Sequence, residues 1–258
     1  MIRDIPYLFG PLGYAAPIDC VPSGQVTAAR ASSDFNSVYG FRNVQRGGYA
    51  PREWVVTLTP WSTPGVASLL QAAAQGLLGD VWLWDLAGMR TNMLPPASTA
   101  GVSGTAIAVG SLPPLRPVTA GQVTQVPLRS GRNYSLTGYT TAASGTVLGT
   151  TKLGAASAVN FTAPAGSGSR QFTVALAPGS DLVLTLTVSS AVVTGLRLVE
   201  AVTGTTFADS LPWVAGQASP CKVSVVDPDA ELHGWSSSGA PLADYTVTLR
   251  EVGTPGVV

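Results

Sequence analysis

Apolar and polar residues alternate over short runs through most of this chain, with the period of two that half-buried β-strands require. Glycine, proline and serine separate the runs, as expected where turns join strands. The runs with this pattern cover residues 25–30, 37–42, 54–59, 81–84, 125–128, 134–140, 158–162, 170–176, 182–189, 195–200, 221–226 and 245–252. The hydrophobic pattern therefore predicts a mainly β protein.

Between the strand-like runs 54–59 and 81–84 the period changes to that of a helix. Apolar residues recur there as a single helical stripe, formed by Val66, Leu69, Leu70, Ala73 and Leu77. Ser62 or Thr63 can cap the first amides, and Pro64 suits the first helical position because its missing N–H costs nothing there. Gly76 or Gly79 can end the helix in a left-handed conformation. One helix is therefore predicted in the first half of the chain.

A change of composition divides the chain. Between residues 98 and 121 serine, threonine, glycine, proline and alanine dominate, and the proline-rich run 112–117 stiffens the backbone. We therefore predict an N-terminal α+β domain at residues 1–105 and a Pro/Gly-rich junction at 106–118. The regular strand spacing that follows favours a β-sandwich or jelly roll at residues 119–258.

The composition indicates a surface that another molecule covers. Charged residues make up 11% of the chain, against the usual quarter, and the mean hydropathy is +0.29. A monomer with so few charges is poorly protected against association, so we predict an oligomer. The start of the chain lacks the pattern of a signal peptide, and its longest apolar run, residues 65–78, is too short to span a bilayer. We expect cytoplasmic synthesis and no membrane insertion.

The charges are balanced in number, at 14 basic and 14 acidic, but they are segregated along the chain. Residues 86–180 contain no acidic residue and six basic ones, whereas residues 209–244 contain five acidic residues against Lys222. Chance in a low-charge chain explains this equally well as complementary faces that meet between neighbouring subunits. The basic stretch is too sparse for a nucleic-acid surface.

Candidate catalytic chemistry is sparse. Asp227 and Asp229 could serve as glycosidase carboxylates or calcium ligands with Glu231, but a solvated loop explains them more economically. His233 is the one histidine, and without a G-x-S-x-G motif it is better explained as a packing or interface residue. Cys20 and Cys221 are predicted to be buried thiols, since their spacing suits no zinc site. We predict no catalytic residue, cofactor or metal.

Two tryptophans of the second half, Trp213 and Trp235, are the candidate ligand-binding residues. An exposed indole can stack on a sugar ring through its apolar face, so both are candidates for glycan binding. The competing interpretation, that they are core or interface anchors, is favoured.

The segment from residue 53 to 97 combines strand, helix and strand with the closing motif Thr91-Asn92-Met93-Leu94-Pro95-Pro96. This arrangement resembles the distal-tail and minor-tail proteins of long-tailed bacteriophages, particularly phages of actinobacteria. Residues 211–217 and 244–253 are similar to the endings of such proteins. The second half resembles the carbohydrate-binding-like or galectin-like sandwiches of phage tail tips.

The resemblance implies a structural virion protein without enzymatic activity. A distal tail protein forms a ring, typically a hexamer, that joins the tail tube to the tip hub and baseplate. The partners implied are other copies of the chain, the tail tube protein, the tip hub and other minor tail proteins, together with host surface glycans. The location implied is the tail tip of the virion, after synthesis in the host cytoplasm. The alternatives are a stand-alone glycan-binding adhesin of the tail and a cell-wall hydrolase that uses Asp227 and Asp229.

Overall fold

The computed structural model describes residues 7–18, 25–28, 32–36, 42–46, 51–58, 64–110, 112–180, 182–200, 220–235, 237, 239 and 241–252. Its elements, in chain order, are β1 (Tyr7–Pro11), β2 (Ala16–Ile18), β3 (Gln25–Ala28), β4 (Ser32–Asn36), β5 (Arg42–Arg46), β6 (Arg52–Leu58), α1 (Pro64–Ala74), β7 (Val81–Asp85), α2 (Leu86–Thr91), α3 (Pro96–Thr99), β8 (Ile107–Val109), β9 (Leu112–Leu115), β10 (Val123–Leu128), β11 (Tyr134–Thr140), β12 (Val147–Leu153), β13 (Val159–Thr162), β14 (Arg170–Leu176), β15 (Leu182–Val188), β16 (Val193–Glu200), β17 (Cys221–Trp235) and β18 (Pro241–Glu251). The prediction of a mainly β protein is confirmed. Of the sequence-predicted strand at 37–42, residues 37–41 lie outside the described residues.

Two compact units make up the chain. The first contains Met1–Pro11, Ala16–Val81 and Lys222–Thr254, and the second contains Leu12–Ala15, Trp82–Cys221 and Pro255–Val258. This division differs from the sequence-based boundaries 1–105 and 119–258. The difference arises because β18 pairs with β6 and so returns the end of the chain to the first unit. Residues 106–118, predicted as a junction, contain the paired strands β8 and β9 and lie within the second unit.

Helix α1 begins and ends where local chemistry requires. Pro64 is its first residue, and beyond its end Gly76 has a φ of +70°, in the left-handed region. The Gly76 N–H donates to the Ala73 carbonyl and the Leu77 N–H donates to the Ala72 carbonyl, the pair of bonds that defines a Schellman cap. The predicted apolar stripe is correct for Val66 and Leu70, which are buried, but Leu77 lies beyond the helix and is exposed.

A seven-stranded sheet has the strand order β2-β1-β7-β17-β18-β6-β3. Strands β17, β18, β6 and β3 pair antiparallel in that order, and alternate residues of β6 and β18 form one buried face. On this face Val56 lies opposite Val247 and Trp54 lies opposite Leu249, and all four are at most 2% exposed. At the end of the face Glu251 accepts hydrogen bonds from Arg52, whose guanidinium also lies over the Trp54 ring at 4.9 Å.

The second unit contains a four-stranded antiparallel sheet, β10-β15-β12-β13, and a three-stranded antiparallel sheet, β14-β11-β16. Phe161 of the first of these sheets stacks on Phe172 of the second, with ring centroids 5.5 Å apart. Most of the strands were predicted from the alternation of residues, but β12 was not. Gly149 interrupts its apolar pattern, and a Cβ there would meet the Phe161 ring at 2.6 Å, so glycine allows this close approach.

The motif that follows α2 closes the edge of the three-stranded sheet at β16. The Met93 N–H donates to the Leu198 carbonyl at 2.7 Å, while the fully buried Asn92 side chain accepts from the Leu198 N–H and donates to the Leu196 carbonyl. Ser98 of α3 then bonds Thr124 of β10, at the edge of the other sheet. The segment therefore satisfies backbone groups that an open strand edge would expose.

A partly buried ion pair joins β16 to the loop after β10. One Arg129 Nη2 atom lies 2.6 and 2.8 Å from the two Glu200 carboxylate oxygens, and the Tyr134 hydroxyl accepts the Arg129 N–H at 2.9 Å. Burial works to lower the pKa of the Arg129 guanidinium, but the hydrogen bond and charge of Glu200 outweigh it, so the pKa is raised. Burial, with the Glu200 charge, raises the pKa of Tyr134 to about 12.

This shift predicts a loss of stability in alkali. An unfolded tyrosine loses its proton near pH 10 and the folded Tyr134 near pH 12. The contribution of Tyr134 to the free energy of unfolding is therefore complete below pH 10 and falls between the two values. The expected slope is up to about 1.4 kcal/mol per pH unit. Urea unfolding of the native chain and of Tyr134→Phe, at intervals of about one pH unit between pH 9 and 12, gives the free energy of unfolding of each protein. The slope is the change with pH of the difference between these two free energies. Parallel pH profiles would contradict the assignment.

Candidate interaction surface

One exposed apolar feature of the first unit is a two-stranded arm that carries Leu232 and Trp235. Strand β17 pairs with β18 from Val223 to Trp235, whereas β6 accompanies β18 only from Arg250 to Tyr245. The outer parts of the hairpin, residues 229–235 and 241–244, therefore extend past the end of β6. We call these residues the arm.

One face of the arm continues the buried face of the sheet. In the ladder register Trp235 pairs with position 241 and Leu232 with position 243 of β18. Both positions are an even number of residues from Val247, so Leu232 and Trp235 share its face. At the base Val247 and Leu249 are buried, but along the arm Leu232 is 56% exposed and Trp235 is 67% exposed. Within the described residues, nothing covers the apolar face where the arm leaves β6.

The opposite face of the arm is acidic. Glu231 lies opposite Asp244 in the ladder, and Asp229 lies opposite Thr246 two pairs closer to the base. Like charges directly across a ladder repel. His233 relieves this arrangement, since its Nε2 atom lies 2.9 Å from an Asp244 carboxylate oxygen while both side chains remain substantially exposed. The arm is therefore amphipathic, with an apolar face and an acidic face.

Two bulges shape β17 along the arm. The register shifts between Val226 and Asp229 and again between Leu232 and Gly234. Pro228 falls in the first bulge, where its missing N–H removes no ladder bond. The interpretation of residues 227–231 as a solvated loop is therefore corrected, because they belong to a long bulged strand, with Asp229 and Glu231 exposed.

The predicted chemistry of this region can be compared with its geometry. Among the described residues, no three His, Cys, Asp or Glu side chains come together as a metal site would require. His233 and Asp244 match the base and orienting carboxylate of a catalytic triad, but no described serine, threonine or cysteine bonds the imidazole. What the geometry gives for His233 is an exposed imidazole bonded to Asp244.

The candidate tryptophans have different outcomes. Trp213 lies outside the described residues. Trp235 is exposed near the tip of the arm, so it is not a core residue, and both glycan stacking and interface contact fit its position.

Cys221, at the start of β17, is a buried thiol as predicted, while Cys20 lies outside the described residues. None of the described helices has the length and apolar character needed to cross a bilayer.

The arm itself was missed from sequence, because the predicted strand ended at Val226, before Pro228. Two signals pointed to it. The run after the proline alternates acidic and apolar residues from Asp229 to Leu232, and a Ser-Gly turn follows Trp235.

No protein-family model and no curated protein matches this chain.

Proposed function

We propose that this chain is a structural subunit of the tail tip of a long-tailed bacteriophage, a distal tail protein that assembles into a ring, with six copies expected. In this proposal the first unit builds the ring, and the two sheets of the second unit form a galectin-like or jelly-roll β-sandwich. The ring joins the tail tube protein to the tip hub and other minor tail proteins at the baseplate. The proposal rests on the resemblance of residues 53–97, 211–217 and 244–253 to such proteins.

The observation that supports self-assembly best is the amphipathic arm. An exposed leucine and tryptophan on one face contribute on the order of 2 kcal/mol each when a partner buries them. The same face is buried at Val247 and Leu249, along the part of β18 that pairs with β6, so its composition is that of a contact surface. The small share of charged residues agrees with a surface that assembly covers.

A second function is favoured by one observation. The indole of Trp235 is 67% exposed, which leaves its face open to stack on a sugar ring. A tail adhesin that binds host glycans would use this residue. It would bind a glycan array as a monomer and lose that signal in Trp235→Ala, while a ring-forming subunit would change its association state instead.

Assembly is tested by measuring the mass of the purified full-length chain by light scattering behind a sizing column. We expect a species of about six copies, each of 26.3 kDa, and closed rings in negative-stain micrographs. The double variant Leu232→Ser with Trp235→Ser is expected to dissociate. Its control is Leu77→Ser, an exposed leucine outside the arm, which should assemble as the native chain does. A native chain that stays monomeric at all concentrations and forms no rings would refute the assembly proposal.

A further inference from the structure

We infer that the arm of one copy binds the second unit of a second copy of this chain, within the stretch of residues 86–180. The inference rests on the proposed self-assembly and names the surface that the arm occupies. It follows from the two faces of the arm, which need an apolar contact and a cationic contact from one partner.

Charge selects the acceptor. The arm presents Asp229, Glu231 and Asp244 with no lysine or arginine between positions 227 and 244. Residues 86–180 carry no acidic residue, and their basic side chains include exposed Arg90, Arg116 and Lys152. An acidic arm therefore meets no like charge anywhere in this stretch. The first unit is less suitable, because its partly exposed cations Lys222 and Arg250 already pair with Asp80 and Glu53.

Apolar complementarity points to the same stretch. Residues 86–180 expose four valines, Val102, Val123, Val147 and Val159, with Val159 63% exposed on the edge strand β13. These side chains supply the apolar contact that Leu232 and Trp235 need. Each copy carries both the arm and the acceptor stretch, so copies can join head to tail. Such an interface closes into a ring when the rotation between neighbouring copies permits.

The test places the photo-crosslinker p-benzoylphenylalanine at Trp235 in the full-length chain. After irradiation, we expect a covalent dimer on a denaturing gel, with the crosslinked peptide inside residues 86–180. The matched control places the same probe at Tyr14, an aromatic residue of almost equal exposure, at 66%. We expect at least about fivefold less dimer there, because its position is unrelated to the arm.

The outcomes separate this inference from the proposed function. The inference is overturned if rings form but the crosslinks from position 235 reach the first unit of the second copy. It is also overturned if rings form and position 235 gives no crosslinked dimer. Both results leave ring assembly standing. Equal dimer yields from positions 235 and 14 overturn it as well. A monomer without rings or crosslinks removes both. As a second readout, Asp229→Lys with Glu231→Lys is expected to weaken association about tenfold at low salt, since it reverses the charge of the arm.

Discussion

Replacing Asn92 with alanine is expected to lower the free energy of unfolding by about 4 kcal/mol, the largest single loss that this structure indicates. The Asn92 side chain is fully buried, and both its amide oxygen and its amide nitrogen are hydrogen-bonded. Its Oδ1 atom accepts from the N–H groups of Leu94 at 3.0 Å and Leu198 at 3.2 Å. Its Nδ2 atom donates to the Leu196 carbonyl at 3.1 Å and to Thr99 Oγ1 at 3.4 Å. Truncation strands these buried groups.

Urea unfolding followed by tryptophan fluorescence measures the Asn92→Ala loss. The matched control is Asn160→Ala, an asparagine exposed on β13, where a change within about 0.5 kcal/mol is expected. The edge-closing role also predicts faster hydrogen exchange at the Leu198 amide in Asn92→Ala, since that N–H loses its acceptor. Equal losses from the two alanine variants would contradict this role.

Glu251→Ala is expected to cost about 3 kcal/mol, because it breaks a buried ion pair and leaves a buried charge. Glu251 is 5% exposed and its carboxylate accepts three hydrogen bonds from Arg52: from the backbone N–H at 3.0 Å, from Nε at 3.0 Å and from Nη2 at 3.1 Å. The pair lies at the end of the buried face formed by β6 and β18. Its loss removes a side-chain link between β6 and the end of β18, where Glu251 also pairs with Val223 of β17.

The adjacent register position provides the control for this prediction. Glu53 lies opposite Arg250 on the other face of the same two strands. The Arg250 Nε atom donates to Glu53 Oε1 at 2.7 Å. The side chains of this pair are 39% and 53% exposed, so Glu53→Ala is expected to cost less than about 1 kcal/mol. Thermal unfolding of both variants in the same buffer compares the two ion pairs. A loss for Glu53→Ala as large as that for Glu251→Ala would show that burial does not set their strength.

Much of the local structure could be predicted from sequence. Helix α1 begins at the predicted Pro64 and is terminated by Gly76, one of the two glycines predicted to end it, because both signals act on neighbouring backbone groups. Strands β11 and β14 have the predicted ends. Helix α2 escaped prediction although Asp85 caps it by accepting the Gly88 N–H at 3.1 Å; at six residues it is too short to display a helical period.

The candidate site was recovered only in part. Trp235 was selected because an indole can bind either a sugar or a partner, and its exposure agrees with both roles. The arm that carries it was not predicted, because a proline at position 228 indicates the end of a strand unless a bulge accommodates it. The motif of residues 91–96 was noticed as a resemblance, yet its physical role lies in contacts with β16, about one hundred residues away.

By itself the sequence determined the β-rich class, the position of α1, the low charge and the separation of acidic from basic stretches, because these depend on composition and on neighbours along the chain. Tertiary structure decided that β18 pairs with β6, that Asn92 closes the edge of β16, and that Leu232 and Trp235 lie uncovered on an arm. Each of these depends on which distant segment supplies a hydrogen-bond partner or a covering side chain. A periodic pattern indicates that a strand needs a partner, but it does not carry the identity of that partner.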